Sequence, residues 1–140
     1  MIKKLINNLE KNPKKLFLID GMGAVTSAFM LGIVLVRFEY FFGIPSNVLH
    51  FLAGVPICYL AYDIYSYFKG DHNIGFLLKG IAIMNILYCC VSLLLAFNHI
   101  ETITIWGWIY IVIEIIILVI LAGIQFNVAK KHGTKLNLKT

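Results

Sequence analysis

The sequence predicts an all-α integral membrane protein, an antiparallel up-down bundle of four transmembrane helices in a single domain of 140 residues. Composition is the first observation: the chain is 60% hydrophobic and 14% charged, with a mean hydropathy of +0.86, far from that of soluble proteins. The second is four apolar runs, each long enough to cross roughly 30 Å of hydrocarbon. The third is the placement of the positive charges on one side of these runs.

The first element is a short N-terminal segment, residues 1–12. Its apolar residues recur at helical spacing between lysines, which is typical of an amphipathic helix lying on the membrane surface. Pro13 is expected to end it. No small-residue cleavage site follows the first apolar run, so we expect that run to be retained as a helix.

The four spans are predicted at residues 16–36, 48–68, 76–97 and 103–126. Short connections between them predict that consecutive helices pack antiparallel. Pro45 and Ser46 suit the start of the second span, and Pro56 is expected to kink it. After Phe126 the remaining residues, 127–140, are interpreted as a loosely structured cytoplasmic tail.

Charge sets the predicted orientation. Eleven of the twelve basic residues fall on one side of the spans, and Arg37 is the exception. The positive-inside rule therefore predicts a multi-pass protein of the cell membrane with both termini in the cytoplasm. The same asymmetry accounts for the formal net charge of +5, because the lysines act as topology signals. The sequence therefore predicts no nucleic-acid partner. The lysine- and isoleucine-rich composition favours a bacterial inner membrane.

Ionisable groups inside hydrocarbon are costly, and they indicate functional sites. Asp20 and Asp63 are predicted about 6 Å and 7 Å from the inner ends of spans one and two. Tyr59, Tyr62 and Ser66 share the helix face of Asp63 and could hydrogen-bond its carboxylate. The alternative is that both aspartates reach headgroups, water or a nearby lysine.

Glu114 lies near the middle of span four, beyond the reach of water. Asn85 and Glu114 are predicted at similar depths, about 14 Å and 18 Å from the inner boundary, so a direct hydrogen bond between them is possible. Tyr88 continues the polar seam of Asn85 along span three. Two interpretations stay open, a structural bond between spans three and four or a binding site for a proton or cation.

Other motifs are sparse. His50, His99, Glu39 and Glu101 all fall on the outer side and carry metal-binding groups, but no ligand spacing supports a site. Cys58, Cys89 and Cys90 form no C-x-x-C pair, and they are interpreted as small core residues. No phosphate-binding, zinc-protease or serine-nucleophile motif occurs, so the sequence predicts no cofactor and no extramembrane catalytic domain.

Three functional hypotheses follow. The first is a transporter or channel-like protein, oligomeric, whose intramembrane carboxylates bind protons or a cationic solute. The second is a non-catalytic scaffold or accessory subunit that assembles with itself or with a larger membrane complex through its polar seam and small residues. The third is a lipid-modifying intramembrane enzyme that uses Asp20 and Asp63 as acid and base.

Overall fold

The computed structural model describes residues 1–70 and 72–138, with side chains described up to Gly133. These residues form helices and turns. The helices are α1 (Ile2–Lys11), α2 (Lys14–Phe29), a π-helical segment (Met30–Leu35), α3 (Glu39–Phe42), α4 (Ser46–Lys69), α5 (Ile74–Asn98) and α6 (Ile105–Leu138). The predicted all-helical fold is thereby confirmed.

Four of these helical stretches are long and apolar enough to cross a membrane: Lys14–Leu35, Ser46–Lys69, Ile74–Asn98 and Ile105–Gly133. Each contains one predicted span or overlaps it closely. At the N-terminus, α1 ends at Lys11, and Pro13 starts α2, as its fixed φ and missing N–H favour.

The first span is not a uniform α-helix. Its C-terminal part, Met30–Leu35, is π-helical, a feature that the apolar pattern did not predict. Gly32 lies in this segment against α4, where an added Cβ would come within 3.3 Å of the Cβ atom of Ala53. The small pair Gly32 and Ala53 therefore lets the two backbones approach closely at this level.

The helices pack as two pairs. The largest contacts are between α2 and α4 and between α5 and α6, whereas α4 and α5 meet over a smaller area. One apolar cluster, which includes Leu35, Leu49 and Ile111, fills the end near the α3 turn. A second, which includes Phe17, Leu78 and Val128, fills the end near α1. The space between the clusters is where the polar residues of the spans lie.

The turn before α4 and the turn before α6 are joined. Gly43 has a φ of +69°, and an added Cβ would lie 2.0 Å from the carbonyl oxygen of Thr102. Thr104 donates hydrogen bonds from its backbone N to Phe42 O (3.1 Å) and from Oγ1 to Phe41 O (2.7 Å). Only glycine fits this left-handed position at so close an approach.

The segment after Phe126 differs from its prediction as a loosely structured tail, because α6 continues to Leu138. Val128 and Ala129 are fully buried and pack in the cluster that contains Leu9 of α1. Glu10 holds the same region from α1: its carboxylate pairs with Lys131, and its backbone oxygen lies 3.0 Å from Nε2 of His132. Burial against α1 stabilises this part of α6 as a helix, and composition alone did not indicate this contact.

Candidate functional site: an acidic cavity inside the bundle

A buried polar cluster joins α2, α5 and α6. Oδ1 of Asp20 accepts hydrogen bonds from Nδ2 of Asn85 at 2.7 Å and from Nε2 of Gln125 at 2.9 Å. Nδ2 of Asn85 also donates to Oε1 of Gln125 at 3.3 Å. All three side chains are 4% exposed or less. The hydrogen bonds within the cluster therefore replace those that a lone carboxylate would make with water.

Glu114 lies about three helical turns from Gln125 along α6 and is also buried. Its Oε1 accepts a hydrogen bond of 3.3 Å from the hydroxyl of Tyr88. Its Oε2 is buried and has no hydrogen-bond partner among the described residues. The hydroxyl-bearing residues Ser27 and Tyr110 are further neighbours of this carboxyl. Glu114 is therefore the carboxyl with spare acceptor capacity in this part of the bundle.

Both carboxylates line one cavity of about 330 Å³. Asp20 and Asn85 lie towards one end of it, and Glu114 and Tyr88 towards the other. Its walls are mostly apolar or aromatic: Ala24, Met30, Pro56, Tyr59, Tyr110, Ile113, Ile117, Leu118 and Leu121. None of the described residues that line it is Lys, Arg or His. The cavity thus has two acidic groups, and the basic side chains of the described residues lie outside its lining.

The exposed and buried lining residues show where the cavity opens. Its floor is formed by buried residues of α4 and α5, including Pro56, Asn85 and Tyr88. Its exposed lining residues are on α2 and α6: Gly23, Thr26, Ile113 and Ile117. Apart from the hydrogen bond between Asp20 and Gln125, α2 and α6 have at most marginal contact in the described part of the chain. The cavity therefore opens sideways, between α2 and α6.

Asp63 lies on the other side of Asp20, between α2 and α4. Its carboxylate is 2% exposed, and neither oxygen has a hydrogen-bond partner among the described residues. It borders a separate groove of about 490 Å³ with Gly21 and Leu60 and does not line the central cavity. A buried carboxyl without donors, beside another carboxyl, is an unfavourable arrangement that packing alone does not explain.

The tyrosines near Asp63 were expected to hydrogen-bond its carboxylate, but their hydroxyl groups bond backbone oxygens instead. The hydroxyl of Tyr62 donates to the backbone oxygen of Leu77 at 3.0 Å, and that of Tyr59 to the backbone oxygen of Met84 at 2.7 Å. Ser66 is buried without a hydrogen-bond partner in the described structure. The two phenols connect α4 to α5 and leave Asp63 unbonded.

The hydrogen bond that the sequence suggested between Asn85 and Glu114 does not form, and each side chain bonds other residues instead. Asn85 turns to Asp20 and Gln125, while Glu114 turns to Tyr88. The predicted depths were counted in residues from each helix end, and they were wrong because the helix ends do not lie at the same level. Asp20 is six residues from the start of α2, whereas its partner Asn85 is eleven residues from the start of α5. Gln125 was missed because it lies one residue from the predicted end of its span, where an amide is unremarkable.

The histidines and glutamates that were predicted for the outer side either make other contacts or are exposed in the described structure. Within residues 1–70 and 72–138, no three His, Cys, Asp or Glu side chains form a group that could hold a metal ion. Glu39 instead accepts a hydrogen bond from Ser46 N at 3.0 Å, and Nδ1 of His99 lies 2.9 Å from Leu95 O. His50 and Glu101 are exposed.

The cysteines differ in part from the prediction that all three are core residues. Cys89 is buried, but Cys58 and Cys90 are exposed on the outside of the bundle. All three are free thiols.

In comparisons with known proteins, the chain matches no protein-family model, no curated protein and no solved structure. The functional argument therefore depends on the geometry of the cavity.

Proposed function

We propose that this chain is a small multi-pass membrane transport protein, a transporter or channel-like protein whose intramembrane carboxylates bind protons or a cationic solute. The observation that carries the proposal is the position of Glu114, a buried carboxyl with an unpartnered oxygen on a cavity of about 330 Å³. A carboxyl in the middle of a membrane span is expensive, and a ligand that bonds it offsets the cost. Asp20 supplies a second acidic group on the same cavity.

The proposal includes a topology. Short connections favour antiparallel neighbours, and the lysine distribution favours cytoplasmic termini in a cell membrane, with a bacterial inner membrane as the composition indicates. In this orientation Asp20 and Asp63 lie nearer the cytoplasm than Glu114. A homo-oligomer, or assembly with a membrane-complex partner, belongs to the same proposal, because small residues such as Gly23 and Gly54 leave open space on the bundle surface where a neighbouring helix could pack closely.

Ion flux into proteoliposomes tests the transport proposal. The purified protein is reconstituted in liposomes with trapped fluorescent indicators for protons, Na⁺ or K⁺, and the three fluxes are measured for the wild type, Glu114→Gln and Glu101→Gln. Glu101 is exposed and outside the spans, so its substitution makes the same chemical change away from the cavity. We expect Glu114→Gln to abolish a flux that Glu101→Gln preserves. Equal flux in all three proteins and in empty liposomes would refute the proposal for these ions.

A second candidate function is a non-catalytic scaffold or accessory subunit. The cluster of Asp20, Asn85 and Gln125 favours it, because hydrogen bonds within the protein join three helices and need no ligand. Crosslinking in native membranes should then capture an oligomer or a partner. A clean monomer in mild detergent, with no crosslinked product in the membrane, would count against this function.

A further inference from the structure

The walls of the cavity indicate which kind of cation it suits. Ca²⁺ takes roughly six to eight oxygen ligands and Mg²⁺ about six. The described residues offer the cavity two carboxyls and a few hydroxyl and amide groups, most of which already make a hydrogen bond to another side chain or to a backbone oxygen. The remaining lining is apolar and aromatic, so a small inorganic cation would lose its water there without gaining equivalent ligands.

An organic cation matches the same walls. Its apolar body would contact side chains such as Ile117, Leu118 and Leu121, and its charged nitrogen would meet Glu114. The rings of Tyr59 and Tyr88, with centroids 6.4 Å apart, also border the space. Tyrosine faces attract ammonium groups, and more strongly where water is absent.

The route of entry follows from the position of the mouth. Gly23, on its rim, is nine residues from the start of α2, about 14 Å along a helix axis and so near the middle of the hydrocarbon. An added Cβ at Gly23 would meet no atom within 4 Å. The missing side chain leaves the rim open at the depth where lipid tails would lie.

From these features we infer that the cavity binds an amphiphilic organic ammonium ion that enters sideways from the bilayer between α2 and α6 and pairs with the carboxyl group of Glu114. Asp20 is a second carboxyl group on the cavity, but its Oδ1 already accepts two hydrogen bonds. The inference rests on the proposed transport function and names its substrate class.

Binding of benzyltrimethylammonium tests the inference. Radiolabelled probe is dialysed against the protein in phosphatidylcholine nanodiscs, with empty nanodiscs as the blank, and neopentylbenzene, its uncharged carbon isostere, serves as competitor. We expect saturable binding that Glu114→Gln weakens by about tenfold or more and that neopentylbenzene does not displace at equal concentration. Absence of saturable binding, or equal displacement by the neutral isostere, overturns the inference.

Two glycine variants test the lateral mouth. Gly23→Leu should slow association and lower occupancy, because it places a branched side chain on the rim. Gly123→Leu is the matched control, since Gly123 is also exposed, also has open space at its Cβ position and does not line the cavity. Unchanged binding kinetics in a folded Gly23→Leu protein would overturn entry between α2 and α6.

Failure of the substrate inference and failure of the transport proposal give different results in the binding and flux tests. If benzyltrimethylammonium does not bind but proton, Na⁺ or K⁺ flux depends on Glu114, the substrate class is wrong and the transport function stands. If neither binding nor flux depends on Glu114, both fail. The thermal unfolding midpoint of each variant is measured in the same nanodiscs, so that loss of binding through misfolding is recognised.

Discussion

Nδ2 of Asn85 lies 2.7 Å from Oδ1 of Asp20, although the two residues are 65 positions apart in the chain. This bond connects α5 to α2, two helices that otherwise touch little. Gln125 brings in α6 through the same carboxylate oxygen. The cluster thus closes one end of the cavity and fixes how the two helix pairs meet.

Replacing Asn85 by Ala should destabilise the bundle. The substitution removes the donor to Asp20 and leaves Asp20 and Gln125 with fewer partners in a buried site, at a cost of about 1 to 3 kcal/mol. The free energy of unfolding, measured by denaturant titration in mixed micelles, checks this. Ser92→Ala is the control on the same helix, because the Ser92 hydroxyl is buried without a hydrogen-bond partner in the described structure. An equal effect of both substitutions would contradict the role given to Asn85.

The two aspartates should respond to amide substitution with opposite signs. Asp63→Asn is expected to raise the thermal unfolding midpoint, because it replaces an unbonded buried carboxyl with a neutral group that can donate a hydrogen bond towards Asp20. Asp20→Asn is expected to lower the midpoint, because the carboxylate oxygen that accepts two hydrogen bonds is weakened as an acceptor. Shifts of the same sign would show that the Asp63 carboxyl has a partner that stabilises it.

Gly43→Ala should destabilise the joined turns before α4 and α6 by more than about 1 kcal/mol. Alanine is strained at a φ of +69°, and its Cβ would lie 2.0 Å from the carbonyl oxygen of Thr102. Gly54→Ala is the control, since Gly54 is within α4 and has open space at its Cβ position. There alanine should be neutral or slightly stabilising. Thermal unfolding of both variants measures the difference, and equal midpoints would be evidence against the left-handed turn.

Amides in residues 128–132 should be protected from hydrogen exchange. They lie within continuous helix, and Val128 and Ala129 are fully buried. Exchange measured by mass spectrometry in nanodiscs should show protection there that Glu10→Gln reduces, because that substitution removes the charge paired with Lys131. Full exchange within seconds in the wild type would instead support the loosely structured tail that composition indicates.

Composition and apolar run length were sufficient to predict the number, type and approximate limits of the spans. A helix that crosses the hydrocarbon needs about twenty apolar residues, and apolar runs of this length can be read directly from the sequence. Single residues with strong backbone preferences also acted as predicted: α1 ends shortly before Pro13, and Pro45 precedes α4. These features depend on local sequence, so no tertiary information was needed.

The choice of polar partners was decided only by the tertiary structure. Asp20, Asn85, Tyr88 and Glu114 are visible in the sequence as polar residues in apolar runs, but hydrophobic periodicity is weak in helices that are apolar on every side. The rotation and level of each helix therefore remain undetermined until packing sets them. Packing brought Asn85 to Asp20, placed Glu114 beside Tyr88 and left α2 and α6 with little contact beyond the bond between Asp20 and Gln125, and these three outcomes together create the cavity.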